Sequence, residues 1–243
     1  MIIVTGASQN HYYTLIQFIT SFINNVQTQH NQLIIYNLGI SDFDWNYLIH
    51  TFNKYNFIFK IFDYSKYPEW YSIQINAGEY AWKPAIIYET FIQFKGQIIV
   101  WMDAGNIITD NLNNLNNLIS ITKLHSGVTS GTIQQWTHPT VIQLLKPTNL
   151  NYKNRNGSCF GFDTSCEWIC DFINEFYNLS TDKKYIAPQG SSRSNHRQDQ
   201  ALFTILYYKY QEKYNFKEWQ NNVWNIFIGY TIHNDIGGSH NPS

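Results

Sequence analysis

Charge is scarce in this chain: only 14% of its residues are Asp, Glu, Lys or Arg, and the formal net charge is -1. Proteins that bind nucleic acid normally carry a basic patch or stripe that faces the phosphates. The lysines and arginines are scattered here, and the adjacent pair Lys183 and Lys184 is typical of a solvated turn. The composition therefore argues against a nucleic-acid-binding protein.

Cysteine and long apolar runs are scarce as well. Cys159, Cys166 and Cys170 make no disulfide framework and have no zinc-ligand spacing, so we expect free thiols in a reducing compartment. No run of about 18 apolar residues could span a membrane, and the N-terminal stretch lacks the basic residues of a signal peptide. We expect a cytoplasmic protein. The richness in Asn, Ile and Tyr indicates an AT-rich coding sequence, as in a large DNA virus or a protist; for a virus, the compartment would be the host cytoplasm.

Hydrophobic and aromatic residues are plentiful, at 44% and 17% of 243 residues. That is enough for the core of one domain, and the chain is too short for two domains and a linker. The N-terminal part has strands over 1–4, 32–38 and 56–64. A helix after the first strand places Leu15, Ile19, Phe22 and Val26 on one face, and a second helix runs from about 42 to 52. This β-α-β-α-β order predicts a parallel sheet. We expect one α/β, Rossmann-like domain over residues 1–243, with a mostly parallel central sheet flanked by helices and a flexible Gly/Ser/His tail from about residue 231.

The rest of the chain continues the alternation of strands and helices. The pattern predicts a helix from Pro84 to Gly96, strands over 97–106, 126–132, 158–164 and 223–230, and helices over 112–121, 137–145, from about 165 and from about 196. Ser8 or Asn10 is available to cap the first helix. Thr164 and Glu167 have the spacing of a capping box.

The opening stretch "VTGAS", residues 4–8, is how many nicotinamide-dependent dehydrogenases begin. Their pattern needs further glycines, which let the backbone approach the pyrophosphate, but Asn10 and Tyr12 stand at those places. The second predicted strand ends near Asn37 and not in an acid, and none of the tyrosines has a lysine four residues later. A dehydrogenase is therefore a distant alternative.

The segment "WMDAGN", residues 101–106, puts Asp103 directly after an apolar strand. Open α/β sheets bind ligands at the carboxyl ends of their strands, and a carboxylate there can hold a hard divalent cation. Gly105 would let a diphosphate lie close to the backbone. The simpler alternative is an aspartate that ends a strand and caps a turn.

Five motifs occur in a fixed order along the chain: "EYAWKPAIIYETF", "IIVWMDAGN", "QQWTHPTVIQLL", "SCFGFDTS" and "NHRQDQALFTIL". Together they resemble nucleotide-sugar glycosyltransferases of the GT-A fold, in a branch with a Trp-x-Asp-Ala-Gly motif. The layout is similar to that of glycosyltransferases encoded by large DNA viruses. The resemblance covers roughly residues 2–235 and implies a single GT-A-like domain.

The resemblance implies a metal site. Asp103 matches the first acid of the family's Asp-x-Asp motif, which binds Mn²⁺ or Mg²⁺ at the donor diphosphate. Gly105 replaces the second acid, so the metal is one ligand short. Asp110 lies too far along the chain to substitute for it. His233 or His240 fits the place where some members of the family supply a histidine.

The resemblance also implies a nucleotide-sugar site, made of Thr5, Ala7, Ser8, Lys83, Asp103, Ala104, Gly105 and Arg197. The first three would line the pocket for the base and ribose of a UDP-sugar. Glycosyl transfer builds negative charge on the departing diphosphate, which a cation or a basic side chain must absorb. Lys83 and Arg197 are candidates for this role; the alternative for each is a surface charge.

Asp199, in "HRQDQ" at a predicted helix start, is the acid that would face the sugar. If the reaction inverts, it would be the base that deprotonates the acceptor hydroxyl; if the reaction retains, it would hydrogen-bond the sugar. The alternative is an acid stabilised by the helix dipole. Asp163 in "FGFDT" is a weaker candidate. Trp136 and His138 are candidates for the acceptor site, with a core position as the alternative for the tryptophan.

The sequence thus predicts a metal-dependent glycosyltransferase that moves a sugar from a UDP-sugar to a glycan or another hydroxyl acceptor. The rival is a non-catalytic nucleotide-sugar or glycan-binding protein of the same fold. The loss of the second acid at Gly105 favours that rival, whereas Asp103 and Asp199 favour the enzyme.

Overall fold

A single sheet organises the fold in the computed structural model, which describes residues 1–26 and 30–216. Its strands are β1 (Ile2–Ala7), β2 (Gln32–Asn37), β3 (Ile58–Ile61), β4 (Ile98–Met102), β5 (Leu124–Thr132) and β6 (Lys153–Asp163). They lie in the order β3-β2-β1-β4-β6-β5. The first four run parallel, whereas β6 is antiparallel to both β4 and β5. The prediction of a mostly parallel α/β sheet is confirmed.

Helices connect the strands: α1 (Tyr12–Asn25), α2 (Asp42–Phe52), α3 (Trp82–Gln93), α4 (Asn113–Thr122), α5 (Ile133–Trp136), α6 (Pro139–Leu145), α7 (Glu167–Ser180), α8 (Lys183–Ile186) and α9 (Gln198–Tyr214). The helix predicted over 137–145 is present as α6 but begins two residues later, at Pro139. Thr137 and His138 have extended backbone between α5 and α6, and His138 caps α6 by accepting from the Thr140 amide. The predicted strand over 223–230 and the tail from 231 lie outside the described residues.

Two hydrophobic cores cover the two faces of the sheet. Successive residues of a strand point to opposite faces, and Val4 and Ile34 accordingly pack in one core while Ile3 and Leu33 pack in the other. The first core includes residues of α3, α7 and α9, and the second includes the apolar face of α1. Because both faces are covered, the parallel strands β1, β2 and β4 are mostly apolar, whereas β5 and β6 carry several polar residues.

Neither predicted helix cap is present. The N-cap of α1 is His11, while the Ser8 hydroxyl donates to the Asn10 side chain at 2.6 Å. The N-cap of α7 is Cys166. The Thr164 hydroxyl instead accepts from the Gly96 amide at 2.9 Å and donates to the Gln97 carbonyl at 2.6 Å. In both places a hydrogen bond to another partner replaces the local cap.

Within the part of the chain that the structure describes, no helix has the length and apolar character needed to cross a membrane.

Candidate functional site

A cleft of about 470 Å³ lies at the carboxyl ends of β1, β2 and β4. Its lining comes from residues 6–11 at the end of β1 and beyond it, residues 38–39 after β2, positions between 73 and 83 before and at the start of α3, residues 103–105 after β4, and Arg193. These segments meet because parallel strands end at the same edge of the sheet, which is where open α/β proteins bind ligands.

The end of β1 contributes Ala7 and Ser8 to the lining. Thr5, predicted for the same pocket, lies outside the lining: its side chain is fully buried in the sheet, and its hydroxyl has no hydrogen-bond partner among the described residues. The structure therefore brings two of the three predicted β1 residues to the cleft.

Asp103 stands directly after β4 and lines the cleft together with Ala104 and Gly105. Its Oδ1 accepts from the Trp101 indole at 2.6 Å. Its backbone amide donates to the Ser158 carbonyl at 2.8 Å, which ties the turn to β6. The side chain is 40% exposed. One face of this carboxylate is therefore held by the protein while the rest meets the cleft.

Open space surrounds Gly105. A Cβ added there would have no heavy atom within 4 Å, apart from those of its chain neighbours. The protein around this glycine does not require the absence of a side chain. The space is therefore available to a ligand, or to the second acid that this position lacks.

Lys83, in the first turn of α3, is the centre of a buried charge network. Its ammonium lies 3.1 Å from Asp103 Oδ1 and 3.0 Å from Asp199 Oδ2, and it donates to the Gly157 carbonyl at 2.9 Å. It also lies 5.5 Å from the Trp101 ring centroid. Burial alone would lower the pKa of Lys83, but the two carboxylates outweigh it and raise the pKa above its usual value. The ammonium therefore stays charged.

Asp199 lies in the first turn of α9, with a side chain only 8% exposed. Burial raises the pKa of this carboxyl, and the adjacent Lys83 ammonium opposes that effect. One buried cation thus serves two carboxylates, so the cluster of Asp103, Lys83 and Asp199 carries an excess negative charge. A cationic or hydrogen-bond-donating ligand group would complement that charge.

Asp163, the weaker candidate acid, is excluded from this site by strand direction. It pairs in register with Ile98, at the start of β4, because β6 runs antiparallel to β4. Asp103 follows the opposite end of β4. The Asp163 carboxylate instead forms a 2.8 Å ion pair with Lys123. It was a wrong candidate because the sequence pattern did not show the direction of β6.

Arg197, the second predicted clamp, lies outside the cleft lining, and its guanidinium stacks on the Trp136 ring at 4.2 Å. Trp136 and His138, the acceptor-site candidates, are likewise absent from the lining. Arg193 does line the cleft, and its Nη1 donates to the Tyr80 hydroxyl at 3.2 Å. Sequence analysis missed Arg193 because it stands in a Ser/Asn-rich loop without a motif.

Strained backbone forms one wall of the cleft. All five residues of the turn Asn76–Tyr80 have φ between 48° and 61°, in the left-handed region. For residues other than glycine this conformation costs roughly 1–2 kcal/mol each. Ala77 and Tyr80 of this turn line the cleft, and the Trp82 indole holds the turn by donating to the Ala77 carbonyl at 2.9 Å. Strain of this kind is concentrated at functional sites.

The described residues partly fit the predicted metal. Asp103 offers one carboxylate oxygen that neither Lys83 nor Trp101 engages. Mg²⁺ can be held by one or two carboxylates together with substrate phosphates and water. Over residues 1–26 and 30–216, no group of three His, Cys, Asp or Glu could hold a metal ion. The predicted ligands His233 and His240 lie outside the described residues.

Comparison with known proteins gives a fold, and a family match over the first part of the chain. No curated protein matches the chain. Residues 1–88 match a family described as "Protein of unknown function (DUF1647)".

Several solved glycosyltransferases share the architecture. The bifunctional glycosyltransferase WbbM, in its apo form, has a TM-score of 0.59 and 11% identity over 86% of this chain and 37% of its own. The galactosyltransferase LgtC, in complex with donor and acceptor sugar analogs, has a TM-score of 0.56 and 14% identity over 85% of this chain and 70% of its own. Mouse xyloside xylosyltransferase 1, in its apo form, has a TM-score of 0.51 and 9% identity over 91% of this chain and 84% of its own. This chain therefore spans little more than a third of WbbM.

At these identities the likeness is one of fold. The chain has the mixed α/β fold of GT-A-type glycosyltransferases, with a mostly parallel six-stranded sheet flanked by helices.

Proposed function

We propose that this protein is a glycosyltransferase that moves a sugar from a UDP-sugar to a hydroxyl group of a glycan or another acceptor. The observation that carries the proposal is the buried network of Asp103, Lys83 and Asp199 beside a cleft at the carboxyl ends of parallel strands. Perturbed ionisable groups in a cleft mark candidate active sites. The shared fold supports the transferase class.

The donor would lie along the edge of the sheet. Ala7 and Ser8 line the part of the cleft next to β1, which suits a base and ribose. The diphosphate would then reach Ala104 and Gly105, where no side chain fills the space. Lys83 lies beside that space, but its ammonium is paired with Asp103 and Asp199, so it would offset their negative charge next to the diphosphate and leave the stabilisation of the leaving group to a bound cation.

A bound Mn²⁺ or Mg²⁺ would supply further charge stabilisation at the diphosphate. Asp103 would hold it through the oxygen that the protein leaves free, with His233 or His240 as an additional ligand.

Asp199 is our candidate for the catalytic residue. Burial raises the pKa of its carboxyl, so it would bind a proton more tightly than an exposed aspartate does. In an inverting reaction it would take the proton of the acceptor hydroxyl, and in a retaining reaction it would hydrogen-bond the sugar. The ion pair with Lys83 would fix its orientation and keep it ionised until the substrate is bound.

One observation favours the rival function, a non-catalytic nucleotide-sugar or glycan-binding protein: Gly105 stands where a second metal-binding acid is expected. Transfer assays separate the two functions. The purified protein is incubated with a panel of UDP-sugars, Mn²⁺ and candidate acceptors, and released UDP is measured. We expect release by the unmodified protein and a loss of about 10²-fold or more in Asp199→Asn, the scale of lost general base catalysis.

Asp171→Asn is the matched control, because it changes an exposed aspartate on α7 and should leave UDP release unchanged. Binding of UDP without transfer or hydrolysis of any sugar would favour the binding protein. Thermal stabilisation by NADH and by no nucleoside diphosphate would restore the dehydrogenase alternative.

A further inference from the structure

The Trp101 indole is built into the sheet two residues before Asp103. Trp101 is fully buried on β4, and it pairs on both sides, with Val4 on β1 and with Phe160 on β6. Its ring centroid also lies 6.0 Å from that of Trp82. Because residues two apart on a strand point to the same face of a sheet, the indole can reach the Asp103 carboxylate. The sheet and the core therefore fix the direction of the indole N–H.

Two donors act on the same oxygen of Asp103. Trp101 Nε1 donates to Oδ1 at 2.6 Å, and Lys83 Nζ lies 3.1 Å from the same atom. The final torsion of an aspartate side chain is soft and roughly two-fold, so the carboxylate has little preferred orientation of its own. The two donors hold Oδ1 towards the protein, and this leaves Oδ2 for a ligand in the cleft.

The indole is the more directional of the two donors. It has a single N–H in the plane of a rigid ring. The Lys83 ammonium has three N–H groups, which it shares among two carboxylates and the Gly157 carbonyl. If the Asp103 carboxylate turned, the ammonium would keep its other contacts, whereas the indole would lose its hydrogen bond. The indole is therefore the contact that selects one orientation of the carboxylate.

We propose that Trp101 is a positioning residue: it holds the Asp103 carboxylate so that Oδ2 is presented to the cation bound with the donor diphosphate. The inference rests on the proposed function, because it names a further residue of that site. Groups that hydrogen-bond a metal-binding carboxylate typically contribute about 10–100-fold to metal affinity. In the opposite case, Asp103 only satisfies the N–H of a buried tryptophan, which needs a hydrogen-bond partner.

Calorimetric titration of the full chain with Mn²⁺, with and without saturating UDP, tests this role. Trp101→Phe keeps an aromatic ring in the core and removes the N–H donor. Trp45→Phe is the matched control, because Trp45 is also buried but packs in the second core, whereas Trp101 packs in the first. We expect Trp101→Phe to weaken Mn²⁺ binding by about tenfold or more, and Trp45→Phe to leave it within about twofold.

Thermal unfolding of the two variants measures what the smaller ring costs the fold. A purely structural role of Trp101 would lower the stability of Trp101→Phe and leave its Mn²⁺ affinity unchanged. Mn²⁺ affinity is thus the measurement that separates positioning from packing.

The NMR resonance of the Trp101 indole N–H gives a second measurement, which keeps the tryptophan in place and stands even if Trp101→Phe does not fold. We expect Asp103→Ala to move this proton resonance upfield, because the charge-assisted hydrogen bond to the carboxylate is lost. The indole resonance of Trp45 should not move.

An Mn²⁺ affinity in Trp101→Phe equal to that of the unmodified protein would overturn the inference. So would an equal loss in both Phe variants, or a Trp101 indole resonance that Asp103→Ala leaves in place. If the unmodified protein binds Mn²⁺ neither with UDP nor without it, the proposed function fails instead. The indole resonance alone then decides whether Trp101 positions Asp103.

Discussion

Lys83 and Asp199 form a buried ion pair of 3.0 Å that joins the first turn of α3 to the first turn of α9. The same ammonium lies 3.1 Å from Asp103, after β4. A single cation thus holds together three elements that are distant in the sequence, and its removal would leave the buried Asp199 and the partly exposed Asp103 without their shared counter-charge.

Replacing the cation should destabilise the fold. In Lys83→Met the Asp199 carboxylate stays buried without a counter-charge, and breaking a buried ion pair in this way costs about 3–5 kcal/mol. We expect a loss of that size in the free energy of unfolding, measured by urea denaturation.

The double variant Lys83→Met/Asp199→Asn provides the control, because a neutral amide replaces the unpaired charge. Its loss should be clearly smaller than the sum of the two single losses, which a double-mutant cycle measures. If each single variant lost less than about 1 kcal/mol in the free energy of unfolding and the two losses were additive, the pair would be neither buried nor coupled.

Restoring an acid after Asp103 should strengthen metal binding. A side chain at Gly105 meets no atom within 4 Å of its Cβ, so Gly105→Asp is expected to fold normally. Its carboxylate would give the cation a second oxygen ligand. We expect the Mn²⁺ concentration for half-maximal UDP binding to fall by about tenfold, on the order of one charge-assisted contact.

Gly105→Asn is the control of equal size without the charge, and it should not tighten Mn²⁺-dependent UDP binding. The same Mn²⁺ dependence in both variants and in the unmodified protein would place the cation away from Asp103.

The stability of the fold should fall in mild acid because of His196. This ring is fully buried; its Nε2 faces the carbonyls of Tyr185 and Ile186 at 3.2 and 3.1 Å, and its Nδ1 accepts from the His138 amide at 3.2 Å. These partners suit a neutral ring. Burial lowers the pKa of His196 from 6.5 to about 4.

Between those two values the unfolded chain binds a proton that the folded chain does not bind, so stability is lost as the pH falls from 6.5 towards 4. The contribution of this one group reaches about 3 kcal/mol. In urea titrations at several pH values, His196→Gln should lose less stability over this window than the unmodified protein. An identical pH dependence in both proteins would mean that His196 does not titrate in this way.

The left-handed turn Asn76–Tyr80 should be sensitive to its glycine. A Cβ on Gly78 would lie 2.2 Å from the Tyr71 carbonyl oxygen, and φ at this position is +61°. Gly78→Ala therefore combines a clash with a left-handed alanine, and we expect a loss of about 2–4 kcal/mol in thermal or urea unfolding.

Ala77→Gly is the opposite change one residue earlier. It removes a left-handed alanine at φ 54° and should not destabilise the protein, since the relieved strain of about 1–2 kcal/mol exceeds the entropy cost of glycine. Equal destabilisation by both substitutions would mean that the turn is not left-handed in solution.

Local sequence patterns were sufficient to predict most of the elements and part of the site. Apolar spacing is a property of neighbouring residues, so it predicted α2 and β2 with ends close to those observed, and it placed β1 and β3 with ends two or three residues off. Asp103 and Gly105 were recognisable because an apolar strand ends just before them. The helix caps could not be predicted in this way. The Thr164 hydroxyl forms its hydrogen bonds with the backbone of residues 96–97, and the sequence around Thr164 does not reveal that contact.

Only the tertiary structure determined which of the candidate side chains contact one another. Lys83, Asp103 and Asp199 were each identified singly, but their contact depends on the order and direction of the strands, which result from packing across the whole sheet. The antiparallel direction of β6 carries Asp163 to the far edge. Arg193 reaches the cleft only because the loop before α9 folds against Tyr80. Short-range periodicity therefore determined the elements, while long-range packing determined which charges share one buried space.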